Sequence, residues 1–516
     1  MSDLRVISSY VAGEWYAPAT AATVLRSAVD GHEVAGVSSA GIDLQAVLDH
    51  ARLVGGPNLR RYTFHERAAM LKELVGALSE HKDELYDLSA DAGATKFDAW
   101  LDIDGGMGVL ASYASRATRQ LPNERFILDG DPEPLSRDGS FVGRHIRTPL
   151  EGVAVHINAF NFPCWGELEK FAPAFLAGVP VVMKPATPTA FVAERVVAAI
   201  VDAGVLPQGA LQMVAGSIDG LLEHLTGQDY VGFTGSHDTA ATLRGLGSVR
   251  SNSVRFMAET DSLNSAILTL SNGTDSPEID LFVDEIVKEI KAKSGQRCTA
   301  IRRALVPEPA MEVVIERLLE RTGELKVGDP RDPETDLGPL VSTRQVGDVD
   351  AAVGTLRAGC ELVTDPSRFG LDRLHPDGAY YAPTVLVAPD GDFEPVHQIE
   401  AFGPVTTLVP YGDTADAVAI AGRGGGSLVA SVYAEDPEVA RSLVLGLAPQ
   451  HGRVLVVDSR CARSSTGHGS PMPHLVHGGP GRAGGGEELG GLRSIFHYMQ
   501  TSAVQGSPDT IGWGDE

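Results

Sequence analysis

The sequence predicts an α/β protein built around a parallel, doubly wound sheet with helices on both faces. Two observations carry this. From residue 152 to residue 457, apolar strand patterns alternate with helical ones, as in chains of strand–helix–strand units. The 516 residues, 43% hydrophobic and 21% charged, also exceed one ordinary core, so two or three lobes are expected.

Residues 1–60 read as short strands and turns that pass into a helical pattern over 42–54. Helices continue to residue 92, with apolar spacing in Ala68-Ala69-Met70-Leu71 and then Leu74 and Leu78. Residues 124–148 are polar, with turn signals at Asp129-Gly130-Asp131-Pro132 and Arg137-Asp138-Gly139. Composition leaves both a projecting hairpin and a surface loop open there. Strands are predicted over 153–157 and 179–183, the second ended by Lys184-Pro185. A helix lies between Pro188 and Gly204, with proline near its start and glycine at its end. Further strands cover 210–214 and 230–233.

The next helix takes Ser276 as its N-cap and Pro277 as its first residue. Ile279, Phe282, Val283, Ile286, Val287 and Ile290 form one apolar face, and Gly295 stops the helix. A second α/β lobe follows. The glycine-rich segment from His477 to Gly486 precedes an ordered pattern over 492–503.

A net charge of -26 without a long Lys/Arg run argues against nucleic acid as a partner. Cys164, Cys298, Cys360 and Cys461 are widely spaced. They suggest no disulfide framework and no metal site, which fits a reducing cytosol. Met1-Ser2-Asp3-Leu4-Arg5 lacks a secretory apolar core, and no apolar run reaches membrane-spanning length. The expectation is a cytoplasmic protein without a membrane partner.

Cys298 carries the strongest chemical signal. It lies in Lys293-Ser294-Gly295-Gln296-Arg297-Cys298-Thr299, just past a helix at a glycine turn. Buried structural cysteines are common, but these neighbours favour an exposed nucleophile with a lowered thiol pKa. Glu259 ends Phe256-Met257-Ala258-Glu259 and is either a surface carboxylate or a base that activates water. Asn161, in Asn158-Ala159-Phe160-Asn161-Phe162-Pro163, follows the first strand of the parallel sheet, where ligands gather. It is either a turn asparagine or a donor to an oxyanion. Lys184 ends a strand within reach of a ribose or phosphate. Gly235 and Ser236 close Gly232-Phe233-Thr234-Gly235-Ser236 ahead of a helix whose N-terminus suits a pyrophosphate. Glu400 and Phe402 stand in Ile399-Glu400-Ala401-Phe402-Gly403-Pro404-Val405, and Glu487-Glu488-Leu489-Gly490 ends the glycine-rich segment.

These motifs together resemble the aldehyde dehydrogenase superfamily over essentially the whole chain. The resemblance implies an aldehyde dehydrogenase-like α/β fold. A Rossmann-type, parallel-sheet cofactor domain would span 1–123 and 149–259, and an α/β catalytic domain 260–475. An oligomerisation arm and C-terminal segment would use 124–148 and 476–516. Such proteins commonly form homodimers or higher homo-oligomers through a hairpin and a C-terminal strand, here within 489–506. The resemblance makes Cys298 the nucleophile, Glu259 the base, and Asn161 an oxyanion donor with the Cys298 backbone N–H. Lys184 would contact the adenosine ribose, Gly235 and Ser236 the pyrophosphate, and Glu400, followed by Phe402, the nicotinamide ribose. NAD-preferring members carry glutamate at the position of Thr187, where it binds the ribose 2′-hydroxyl and repels a 2′-phosphate. Its absence favours NADP, with NAD as the other candidate.

Ala240 stands where the family often has glycine, and Gly481 replaces its usual lysine. Glu259 is followed by Thr260-Asp261-Ser262-Leu263-Asn264 where the family has a leucine and two glycines. This last departure resembles a subgroup that oxidises ring-cleavage semialdehydes carried on coenzyme A in aerobic phenylacetate and benzoate degradation. So do Ile157 to Gly166, Gln296 to Arg303 and Ser465 to Pro471. Some phenylacetate-pathway relatives continue into a hydratase-like domain, which this chain is expected to lack.

The expected reaction is NADP-dependent and hydrolytic, with phenylacetate-type substrates slightly favoured. Cys298 forms a thiohemiacetal, hydride leaves to the nicotinamide, and Glu259 activates water against the thioester. Arg297, Arg302, Arg303, Arg482 and Arg493 flank the expected cleft as candidates to meet coenzyme A charge, or as ordinary surface and interface arginines. A coenzyme A-acylating dehydrogenase is disfavoured by Glu259. A non-catalytic protein retaining the fold is disfavoured by intact Cys298, Glu259 and Asn161.

Overall fold

Five parallel strands lie side by side in the order Arg255–Glu259, Tyr230–Thr234, Ala154–Ile157, Val181–Lys184 and Leu211–Met213. They belong to a computed structural model that describes residues 4–512. Met1, Ser2 and Asp3 of the amino-terminal reading, and residues 513–516 of the carboxy-terminal segment, lie outside the described residues. Ser9–Val11 and Glu14–Tyr16 extend the sheet in antiparallel fashion.

Val181, Val182 and Met183 are fully buried, because helices cover both faces of a parallel sheet. The helix Trp165–Ala177 is itself buried at every position from Glu167 onward. Of the five parallel strands, Ala154–Ile157 comes first in the chain. Its next two strands lie on one side and the following two on the other. The order therefore reverses between Ala154–Ile157 and Tyr230–Thr234, and the crevice at their carboxyl ends is the natural ligand position.

The second lobe has seven strands in the order Glu361–Leu362, Thr384–Val387, Val405–Tyr411, Arg303–Pro307, Ser265–Leu268, Ser427–Tyr433 and His451–Val457. All pairings are parallel except that of Glu361–Leu362. Successive strand residues serve opposite faces. Ile267, Leu305 and Val432 pack with Val349, Ala417 and Leu443. Ala266, Leu268 and Val306 pack with Ile279, Phe282 and Leu318.

The polar segment is a hairpin, Ile127–Pro134 with Val142–Pro149. Met499–Gly506 pairs antiparallel with Val142–Pro149 at every one of its residues, completing a three-stranded sheet. Among the described residues, no helix is long and apolar enough to cross a membrane.

Two boundaries differ from expectation. The helix before Cys298 runs Glu278–Lys291 with Pro277 at its N-cap. The Ser276 hydroxyl is occupied one turn earlier, donating to the Gly273 carbonyl and accepting from the Asn272 N–H. The helix also ends before Gly295. A tight turn, Ala292–Gly295, follows, with Lys293 and Ser294 at φ 54° and 51°. Gly295 continues at φ +69°, and a Cβ there would lie 2.1 Å from the Gly403 carbonyl oxygen. Non-glycine residues in this region store strain that the surroundings must hold.

Candidate active site

The strained turn is clamped from several sides. Asp98 accepts the Lys293 N–H at 2.6 Å. Arg302 donates to the carbonyls of Gly295, Arg297 and Gly403. Asn264 donates to the carbonyls of Cys298 and Ala300 at 2.8 and 3.0 Å. Ser262 donates to Asn264 Oδ1. The unusual run after Glu259 therefore braces the backbone that presents Cys298.

Cys298 stands where two cavities meet. The smaller, about 60 Å³, lies beside Leu101, Phe162 and Trp165. The larger, about 590 Å³, lies at the switch point beside Ile157, Gly235 and Phe402. Both are walled by Ala159, Asn161, Thr234, Glu259 and Cys298. The structure thus brings Cys298, Glu259 and Asn161 together. Asn161 Nδ2 donates to the Gln296 carbonyl at 2.9 Å.

Glu259 is buried at the end of its strand, level with Thr234. Its Oε2 lies 2.8 Å from His477 Nε2, an ion-pair contact without an aligned hydrogen bond. Ligand atoms of Glu259, Cys298 and His477 fall within 4.8 Å of one another. Strand Val476–Gly479 pairs with Gly486–Leu489 and sets His477 opposite Glu488. Lys170 Nζ lies 3.3 Å from Glu169 and 3.5 Å from Glu488.

Burial alone would neutralise these groups, and specific partners decide otherwise. It pushes the Glu259 carboxyl up, but His477 and then Lys170 hold it below the usual carboxylate range. It pushes His477 down, yet the Glu259 carboxylate raises it. Glu488 is raised by burial in spite of Lys170.

The Cys298 thiol is pushed well up, first by burial and then by the Glu259 carboxylate. The expectation of a lowered thiol pKa is therefore corrected. Arg297, its sequence neighbour, pairs with Glu289 at 3.0 Å and bonds to the Gly469 carbonyl, and its lowering pull on the thiol is outweighed by burial and Glu259.

Of the expected cofactor residues, Gly235, Ser236, Glu400 and Phe402 line the larger cleft, while Lys184 and Thr187 are not in its wall. Ala186, between them, is. Burial lowers the Lys184 amine pKa. Ser236 caps the helix His237–Arg244, accepting from the Thr239 N–H. Glu400 accepts from the Ser262 N–H, and burial raises its pKa to about 7 against the pull of Arg302. The Phe402 ring meets Phe160 edge-on at 5.8 Å. Thr234 Oγ1 is buried at the cleft without a partner. A cleft of this size, with that free hydroxyl and a buried carboxylate, fits a nicotinamide dinucleotide.

The pattern of the Aldehyde dehydrogenase family matches residues 15–504. The chain belongs to the aldehyde dehydrogenase family. It is an enzyme that oxidises aldehydes, and its family uses NAD or NADP. It is 46% identical over 478 residues to 3,4-dehydroadipyl-CoA semialdehyde dehydrogenase of Aromatoleum evansii, covering 92% of this chain and 93% of the relative. It is 51% identical over 177 residues to Protein MaoC of Klebsiella aerogenes, covering 34% and 52% of the two chains. The fold matches lactaldehyde dehydrogenase from Escherichia coli with a TM-score of 0.84 at 21% identity, over 97% of this chain and 99% of that one. It matches an indole-3-acetaldehyde dehydrogenase in complex with NAD+ at 0.83 and 24%, over 97% and 96%.

In this aldehyde dehydrogenase, the arginine expectations need correction. Arg302 and Arg303 are buried and bonded to backbone carbonyls, and Arg297 is ion-paired, so none is free for a coenzyme A phosphate. Arg482 lines the larger cleft and donates to the Gln398 carbonyl, while Arg493 pairs with Glu487 at the surface. The sequence reading missed Glu169, Lys170, Asn264 and His477 as site residues. His477 was visible only as the start of a glycine run.

Proposed function

We propose that this aldehyde dehydrogenase is hydrolytic, prefers NADP, and oxidises a semialdehyde carried on coenzyme A to the carboxylate. The observation that carries the reaction is the buried, ionised Glu259 beside the Cys298 thiol, at the junction of the two cavities. Because the thiol is raised, attack is fastest when the adjacent carboxylate takes its proton as sulfur meets the aldehyde carbon. The product is a thiohemiacetal on Cys298. An amide has two N–H donors. Gln296 occupies one on Asn161, leaving the other for the developing oxyanion.

A nicotinamide bound in the larger cleft supplies the hydride acceptor. Gly235, Ser236, Glu400 and Phe402 form the wall that would hold it, and Lys184 is assigned to the adenosine ribose. Loss of hydride leaves a thioester on Cys298. Glu259 gives the thiol's proton up to solvent and then takes a proton from water. The hydroxide adds to the thioester, the tetrahedral adduct collapses to release the acid, and the departing Cys298 thiolate recovers the proton from Glu259. This use of Glu259 favours water over free coenzyme A as the acyl acceptor.

The absence of a carboxylate at Thr187 supports NADP. The coenzyme A-linked substrate draws its support from the 46% identical relative, whose name states such a semialdehyde. It also draws on the motif likeness to enzymes of phenylacetate- and benzoate-type catabolism. The hairpin joined by Met499–Gly506 leaves Ile127–Pro134 as an exposed edge strand, which suits a homodimer or higher homo-oligomer. Four free cysteines fit a cytoplasmic setting.

The test compares a free medium-chain aldehyde with a coenzyme A-linked semialdehyde, each with NADP and with NAD. Remote binding energy from coenzyme A should raise kcat/KM sharply for the linked substrate. Equal or better use of the free aldehyde rejects the substrate assignment, and faster turnover with NAD rejects the cofactor assignment.

A further inference from the structure

His477 has no part in the steps above. It is buried on strand Val476–Gly479, and its Nδ1 has no hydrogen-bond partner. Its Nε2 makes the 2.8 Å contact with Glu259. Buried ring nitrogens are ordinarily both satisfied, so packing alone does not account for a histidine here. The other charged and titratable groups facing the pair come from four elements. They are Glu169 and Lys170 on helix Trp165–Ala177, Glu488 on Gly486–Leu489, Arg453 on His451–Val457, and the Cys298 thiol. Lys170 is engaged by Glu169 and Glu488. Among the described residues, His477 is the cation within ion-pair distance of Glu259.

We propose that His477 is a positioning residue that keeps Glu259 ionised beside the thiol and so sets the lower pH limit of the reaction. The proposal rests on the reading of Cys298 as nucleophile and Glu259 as base. Burial favours the protonated carboxylic acid, and a touching cation reverses that preference. In the resting pair the proton sits on His477 and Glu259 is a carboxylate, ready to accept from Cys298 and later from water. Without the imidazolium, Glu259 keeps its burial and loses its nearest cation. It then holds its own proton to higher pH and can accept no other. The directions of the two shifts, Glu259 down and His477 up, agree with this.

The experiment uses His477→Phe, which keeps a ring without the charge, and His477→Gln, which keeps a polar group. Two profiles are read against pH: kcat/KM for hexanal with NADP, and alkylation of Cys298 by iodoacetamide without aldehyde or cofactor. The acid limb of both profiles should move upward, out of the acid range in which the parent keeps Glu259 ionised and towards neutrality, with about a tenfold loss one pH unit below the new limb and a much smaller one near pH 9. NADP binding, followed by fluorescence, checks that each variant is folded. If the phenylalanine variant fails that check, the glutamine variant decides. An acid limb that stays in place, or a loss equal at all pH values, overturns the proposal. Glu259→Gln separates the two readings. If it turns over at the parental rate, the assignment of the base is wrong. If it is inactive while both His477 variants keep the parental acid limb, only the role of His477 fails.

Discussion

At the scale of single residues, Glu259 has two tasks that fall at different times. It takes the thiol proton first and activates water later. Replacing it by glutamine removes both, but a small fraction of thiolate still lets the first step proceed. Glu259→Gln should therefore release reduced cofactor in a burst near one equivalent per site, followed by little steady turnover. Cycling at the parental rate would assign the base elsewhere. Thr187 opens the turn Thr187–Thr189 next to Ala186, which lines the cleft. Thr187→Glu should turn preference from NADP towards NAD, with a like-charge penalty on the order of 1–3 kcal/mol against the 2′-phosphate. An unchanged ratio of kcat/KM for the two cofactors would show that the side chain does not face the ribose.

The element that matters most is the turn between helix Glu278–Lys291 and Cys298. Gly295 combines a positive φ with a carbonyl in the space of its missing side chain. Gly295→Ala should cost on the order of 1–3 kcal/mol of stability. It should also lower kcat more than it raises the cofactor KM, because the displaced turn carries the nucleophile. Stability and kcat both unchanged would contradict this.

Local signals made much of this element legible. The apolar stripe from Ile279 to Ile290 predicted the helix and its buried face. The boundary at Ser276 was misplaced because its hydroxyl serves the preceding turn. Apolar runs likewise gave the central strands to within a few residues. The polar hairpin stayed ambiguous because its partner, Met499–Gly506, is remote in sequence. The same limit hid His477, whose role depends on strand Val476–Gly479 meeting the end of Arg255–Glu259. It also made Arg297 look like an activator of the thiol, when it is paired with Glu289 and its pull on Cys298 is outweighed by burial and Glu259.

Across the whole molecule, buried histidines in both lobes resist protonation. His156 and His468 are held well below the ordinary imidazole range by burial. His397 and His451 are lowered by burial to about 4. The unfolded chain takes up these protons as pH falls below about 6.5, whereas the folded protein refuses them until about 4. Their stabilisation is complete above that window and is lost within it. At about 1.4 kcal/mol per pH unit, His397 and His451 each account for roughly 3 kcal/mol. Buried groups shifted the other way, His477 and Glu167, oppose this trend. The clean measurement is therefore a difference. The gap in Tm between the parent and a His397→Gln/His451→Gln variant should narrow as pH falls from about 6.5 to about 4, and a constant gap would refute the account. The glycine-rich segment has a consequence in time as well as in space. Gly484 and Gly486 fold back onto the Ala258 carbonyl, and the strand pair they join brings His477 to Glu259 and the thiol and Glu488 to Glu259. During synthesis Cys298 leaves the ribosome well before them. Until that stretch docks, the nascent chain carries the thiol beside a Glu259 that lacks its His477 partner, and an aldehyde met in that interval finds an incomplete site.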